Sequence, residues 1–122
     1  MAEHNELGEK GEFLAVKYLE KKGYKICFKN WRSGKLEIDI IAEQDGFIIF
    51  IEVKTRESNF MGEPELAVTR KKQSQIIKAA DAYFKETDCQ LESRFDIIGI
   101  ILNSKTEKIN HIESAFYPLM RR

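Results

Sequence analysis

Apolar residues recurring at three- and four-residue spacing among charged neighbours (Leu7, Leu14, Ala15, Tyr18, Leu19) predict an amphipathic helix over residues 7–22, capped at its C-terminus by Gly23. Over residues 24–31 the period drops to two, as larger apolar or aromatic side chains alternate with polar ones in a half-buried strand. Residues 36–42 and 47–53 are isoleucine-rich strands separated by Gln44-Asp45-Gly46, and Asp-Gly makes them a hairpin. Ser58, Asn59, Gly62 and Pro64 mark 57–64 as a loop. A second helix is expected from about residue 66 to 85, burying Ile76, Ile77, Ala80, Tyr83 and Phe84. A strongly apolar fourth strand, 94–102, a polar turn, 103–106, and a shorter fifth strand, 108–112, follow, and residues 115–120 close the chain. No repeat, low-complexity tract or linker intervenes. The expectation is therefore one α/β domain over residues 1–122, with a mixed five-stranded sheet flanked by helices in the order α-β-β-β-α-β-β.

The hairpin also serves as a ruler. With Asp45-Gly46 as a two-residue loop, Gln44 faces Phe47, and stepping outward sets Asp39 opposite Glu52 and Glu37 opposite Lys54. Alternation puts these four on one face and turns Ile38, Ile40, Ile49, Ile51 and Val53 to the other. Two carboxylates directly opposite on paired strands, about 4.5–5.5 Å apart at Cβ, repel each other. A divalent cation offsets that repulsion: Mg²⁺ takes one or two carboxylates, keeps several waters and leaves room for phosphate oxygens. A neighbouring ammonium can orient or help deprotonate a water and balance charge on a phosphoryl group. The plainer reading is a solvated hairpin face with Glu37 and Lys54 as a cross-strand ion pair. Against it, Ile41, Ile48 and Phe50 share that face and call for cover, so the acids stand at the edge of a cleft.

Composition narrows the class. With 122 residues, 43% hydrophobic and 33% charged, the chain can form a core without staples. Cys27 and Cys89 match no zinc spacing with His4 or His111 and read as reduced thiols. The start, residues 1–6, lacks the basic and apolar stretches of a secretory signal, and no apolar run approaches membrane-spanning length; a soluble cytoplasmic protein is expected. The 20 basic and 20 acidic residues cancel, which does not indicate a globally basic nucleic-acid binder. Lysines and arginines nevertheless crowd residues 10–35, and Arg70, Lys71 and Lys72 form a second cluster.

Asp39 followed by Glu52-Val53-Lys54 at the end of an apolar strand resembles the Asp…(Asp/Glu)-x-Lys signature of the PD-(D/E)XK nucleases. The surrounding residues are more particular: Gly8-x-x-Gly11-Glu12-x-x-Ala15, Leu19, Gly23-Tyr24, Asn30, Glu37-Ile38-Asp39-Ile40-Ile41, Phe50-Ile51-Glu52-Val53-Lys54-x-Arg56, Lys72 and Arg94-Phe95-Asp96. Together they resemble the YraN family of small bacterial predicted endonucleases, related by fold to archaeal Holliday-junction resolvases, over nearly the whole chain. One position departs: Leu36 stands where the family usually has glycine, and Gly34 lies two residues earlier. The resemblance implies a restriction endonuclease-like core in which Asp39 and Glu52 hold Mg²⁺ or Mn²⁺, the Val53 carbonyl adds a ligand and Lys54 serves the attacking water. Glu12 matches an acidic position that related resolvases bring to the same metal, or is a solvated helix glutamate. Glu37 is expected to support Lys54. Lys72 and Gln73 are candidates to touch a phosphate, and Arg56 to meet the phosphate backbone.

The leading expectation is a metal-dependent endonuclease acting on duplex or branched DNA, with a homodimer suiting a symmetric junction. The alternative is a non-catalytic nucleic-acid-binding module of a larger complex. A third is a protein–protein adaptor using the apolar surface at Phe60 and Met61. Tyr24, Phe28 and Trp31 read as core aromatics, with base stacking as the rival role. Arg94 and Asp96 read as an ion pair, and Arg121-Arg122 as a tail.

Overall fold

The computed structural model describes residues 5–118; the tail Arg121-Arg122 lies outside the described residues. Helix α1 (Glu6–Lys21) begins at Asn5, whose Oδ1 accepts from the Gly8 N–H at 2.7 Å. It ends as expected at Gly23, where a φ of 90° lets the Gly23 and Tyr24 N–H groups turn back onto the carbonyls of Glu20 and Leu19. Strands β1 (Lys25–Ser33), β2 (Leu36–Gln44) and β3 (Phe47–Arg56) form an antiparallel meander. Asp45 and Gly46 turn β2 into β3 with φ of 51° and 84°, the left-handed pair that a tight two-residue hairpin needs. Helix α2 (Arg70–Thr87) crosses over to β4 (Glu92–Leu102), which runs parallel to β3, and β5 (Glu107–Phe116) closes the sheet antiparallel to β4. The element order and the mixed five-stranded sheet match the expected restriction endonuclease-like arrangement, and the strands lie in the order β1-β2-β3-β4-β5.

Each helix covers one face of the sheet. Ala15 and Leu19 of α1 pack on Ile40, Ile49, Ile51, Val53, Ile98 and Ile100. Ile76, Ala79, Ala80 and Tyr83 of α2 pack on Ile41, Ile48, Phe50, Phe95 and Ile97. Phe28 and Trp31 set their rings edge-on to Tyr83 at 6.0 and 5.4 Å; Trp31 serves the core, as does buried Tyr24 on the other face, whereas Phe28 stays 44% exposed. Cys27 and Cys89 are free thiols, and burial pushes the Cys27 thiol up. Among the described residues no helix is long and apolar enough to cross a membrane.

Three expectations need correction. The second helix does not run unbroken from residue 66: Pro64–Ala67 form a separate 3-10 turn, and α2 starts at Arg70 because the Thr69 hydroxyl caps it, accepting from the Lys72 N–H at 3.1 Å. Strand β5 is longer than 108–112 because it pairs with β4 back to Phe116. Ile38 packs under α2 with Ile41 and Phe50, not with Ile40 under α1.

That last correction marks a fault in the sheet. Ile38 and Ile41 are an odd number of residues apart yet share a face; so are Phe28 and Trp31, which both meet Tyr83. The pairs Lys29↔Ile40 and Trp31↔Ile38 bracket the place where both strands switch face, which puts Asn30 opposite Asp39. Asn30 has a φ of 53°, the left-handed conformation that asparagine tolerates better than most residues.

Candidate active site

The β2–β3 ladder follows the expected register from Gln44↔Phe47 to Ile40↔Ile51 and stops there, one step short of the acids. Asp39 takes over at the gap: its Oδ2 accepts the Val53 N–H at 2.8 Å. A side-chain oxygen thus replaces a backbone partner, and the carboxylate is held beside Glu52, with which it is in hydrogen-bonding contact. Where the strands part, a cavity of about 400 Å³ opens between the two helices. Asp39, Glu52 and Lys54 all line it, with Glu12 facing from α1, Lys72 from α2 and Thr69 from the cap that precedes α2.

Sequence reasoning misses what brings α1 so close. A methyl group on Gly11 would overlap the Thr55 side chain, so only glycine lets the first turns of α1 lie against β3. Gly8 and Glu12 then reach the wall of the cavity, as does Asn5. The Gly-x-x-Gly-Glu spacing is visible in the chain, but its meaning needs the strand on the other side. Another residue that sequence reasoning misses is Glu65, buried in the 3-10 turn against Gly99 and hydrogen-bonded by Asn110 Nδ2 at 2.5 Å. It anchors the connection that carries Ala67, Val68 and Thr69 into the cavity wall.

Burial dominates the electrostatics. It pushes the Glu52 carboxyl up from 4.5 to about 9, the neighbouring Asp39 charge adds to the rise, and Lys72, with Nζ 3.9 Å from Glu52 Oε2, draws it back. Burial raises the Asp39 carboxyl as well, opposed by the Val53 N–H, by Glu52 and by Lys72. Near neutral pH the pair therefore retains a proton, in the position that a cation would compete for. Two touching carboxylates at the edge of a cavity wide enough for a hydrated ion and a phosphate suit Mg²⁺ or Mn²⁺, although among the described residues no group of three His, Cys, Asp or Glu side chains forms a ready cage.

The other candidates divide. Lys72 lines the cavity; Gln73 does not, because its Nε2 donates to the Val68 carbonyl at 3.2 Å and braces the turn into α2. Arg56 ends β3 outside the lining. Glu37 is buried and pairs with Arg32, Nη2 to Oε1 at 3.7 Å, without reaching the cavity wall. The Arg94–Asp96 pair forms, Nη2 to Oδ2 at 2.7 Å, inside a larger network: His111 Nε2 lies 2.7 Å from Asp96 Oδ2, the Ser114 N–H donates to Oδ1, and Arg94 also reaches Tyr24. None of these residues lines the cavity, and the network fastens β5 and the β1 entry to β4.

The comparisons with known proteins agree with the motifs. Residues 11–100 match the model of the family described as Uncharacterised protein family UPF0102. A UPF0102 protein of Phocaeicola vulgatus is 50% identical over 97% of this chain and 98% of its own length. UPF0102 proteins of Christiangramia forsetii and Bacteroides thetaiotaomicron are 49% and 47% identical, with 96% and 97% of this chain covered and 98% of each relative. With the family model spanning most of the fold, Gly11 and Glu12 included, and relatives aligned almost end to end, the chain belongs to the UPF0102 family, the YraN family that its motifs resemble.

Proposed function

We propose that this protein is a metal-dependent endonuclease that hydrolyses DNA phosphodiester bonds, with Asp39 and Glu52 holding Mg²⁺ or Mn²⁺. The observation that carries this reading is the desolvated pair of touching carboxylates at a cavity that also holds a lysine two residues along the same strand. Bound there, the metal would supply Lewis-acid polarisation of a phosphoryl oxygen and a more acidic water. The chain's own groups do the rest. Asp39 is fixed by the Val53 N–H, so its other oxygen is already aimed when a cation arrives. Lys54 orients the attacking water and balances the charge that develops on the phosphoryl oxygens. Lys72, with Nζ 3.9 Å from Glu52 Oε2, offsets the charge left on the carboxylate pair and would be free to meet a phosphate if a cation took over that task. Glu12 adds an acidic group from the opposite wall, and Arg56, at the strand end, meets the phosphate backbone outside the cavity.

Incubation of the purified protein with Mg²⁺ or Mn²⁺ and a panel of linear, forked and four-way DNA tests this. Cleavage of at least one substrate is expected, with Asp39→Asn and Lys54→Ala each reducing the rate by at least about a hundredfold. Wild-type activity in Asp39→Asn would remove the assignment.

A second reading, a nucleic-acid-binding module without catalysis, has one observation in its favour: Lys72 already supplies Glu52 with a counter-charge, so the pair can persist without metal. Salt-dependent DNA binding that is indifferent to divalent ions and to Asp39→Asn, with no cleavage, would support it.

A further inference from the structure

The connection from β3 to α2, residues 57–69, leaves the cavity wall just after Thr55 and re-enters it at Ala67. Between those points it carries the most exposed large apolar side chains of the described residues: Phe60 at 88%, Met61 at 77% and Leu66 at 76%. Ordinary hydrophobic collapse would turn such groups inward, and here the backbone holds them out. Phe60 N–H donates to Ser58 Oγ, Gly62 N–H to the Asn59 carbonyl, and Asn59 Nδ2 to Glu63 Oε2 at 3.0 Å. Gly62 has a φ of 103°, which favours glycine, and Asn103 Nδ2 clamps the Glu57 carbonyl at 2.8 Å. The tip is a fastened loop that presents an aromatic and a thioether side by side.

Charge indicates what such a tip meets. The connection itself carries Glu57, Glu63 and the buried Glu65 and no cation; cations stand at its two roots, Arg56 on one side and Arg70 and Lys71 on the other, with Lys54 and the Glu52-paired Lys72 in the cavity between them. A second copy docked on the same surface about a two-fold axis would set these cations against their own images. A polyanion is attracted instead. The phosphate surface of DNA offers nothing to phenylalanine or methionine, and the matching apolar faces are those of the bases, exposed where stacking is interrupted.

Resting on the nuclease reading above, we infer that Phe60 and Met61 form a wedge that enters the base stack of DNA at a branch or other break in stacking, selecting such sites for the adjacent cavity. The pair is a specificity element and takes no part in the hydrolysis.

The test uses the full chain, a four-way junction with 2-aminopurine beside the branch point, and Ca²⁺ in place of Mg²⁺ while fluorescence is read. Wild type is expected to raise the fluorescence on binding. In Phe60→Ser/Met61→Ser the rise disappears, and the preference for branched over linear DNA falls about tenfold. Its thermal midpoint stays at the wild-type value, because both side chains are exposed, and Phe60→Trp restores the rise. A double variant that keeps both the rise and the preference, while Asp39→Asn still abolishes cutting, overturns the wedge and leaves the nuclease intact. If wild type neither binds nor cuts any DNA, the nuclease reading falls first and takes the wedge with it. If the double substitution instead splits a homodimer seen by light scattering and leaves the fluorescence rise in place, the tip is a self-contact and the inference is wrong.

Discussion

At Glu52, burial and charge act against each other on one carboxyl group, and the outcome depends on pH. Its value in the folded state, about 9, lies above the ordinary 4.5, so the folded chain binds a proton there that the unfolded chain releases. The stability this contributes is complete below pH 4.5 and is lost as the pH climbs through about 9. Asp96 behaves in the opposite way. Burial would push its carboxyl up, but donation from His111, Arg94 and Ser114 outweighs burial and holds it below 3.8, so its contribution is lost as the pH falls through that lowered value. Metal-free protein should therefore be most stable in mild acid, with urea midpoints falling toward pH 9. In Glu52→Gln the alkaline decline should flatten, with a gain of about 0.5–2 kcal/mol at pH 8 and loss of cleavage, the exchange expected where a site is strained for its function. A variant less stable than wild type at pH 8 would show that Glu52 is not desolvated as described. Added Mg²⁺ at a hundred times its dissociation constant should stabilise wild type by about 2.7 kcal/mol and leave Glu52→Gln nearly unmoved.

Among the elements, α1 and α2 are jaws whose spacing is fixed by small details. Gly11→Ala puts a methyl into Thr55 and should cost about 1–3 kcal/mol, read by calorimetry, with the loss of cleavage exceeding the loss of folded protein. Thr69→Ala removes the cap that starts α2 beside Lys72 and should cost about 0.5–2 kcal/mol while weakening DNA binding. These elements also show what the chain discloses before it is folded. The helix stripes, the Asp45-Gly46 turn and the register up to Ile40↔Ile51 are legible because each follows from local periodicity. The start of α2 is not, because Leu66 extends the apolar pattern backward, whereas capping is decided by one hydroxyl at Thr69. The face of Ile38 is hidden because strict alternation fails where two strands slip together, and a left-handed Asn30 leaves no mark in hydropathy. Asp39 and Glu52 still come together, though through a side-chain hydrogen bond to Val53 and not through a continued ladder.

In the whole molecule the cavity and the buried network sit side by side in the sheet and have different tasks. The C-terminal half of β3, with the parted strands, carries the cavity; Asp96, which is 0% exposed and holds the network, pairs in register with Ile51, one residue before Glu52. Removing Asp96 would leave Arg94 buried without its partner, so Asp96→Ala should cost about 3–5 kcal/mol. At a temperature where the variant is still folded it should cleave as wild type does, because none of that network touches the cavity. An activity loss at full folding would mean that the network and the cavity communicate.

The paired slip at Asn30 and Asp39 has a further bearing on how the molecule matures. A meander that zipped one residue out of step would keep most of its hydrogen bonds, yet the two departures from alternation would no longer coincide, and Asp39 would be carried away from Val53. The contact of Asp39 with Val53 beside Glu52 is thereby tied to correct assembly of the meander. On the nuclease reading proposed above, a misthreaded molecule would be inert as well as unstable.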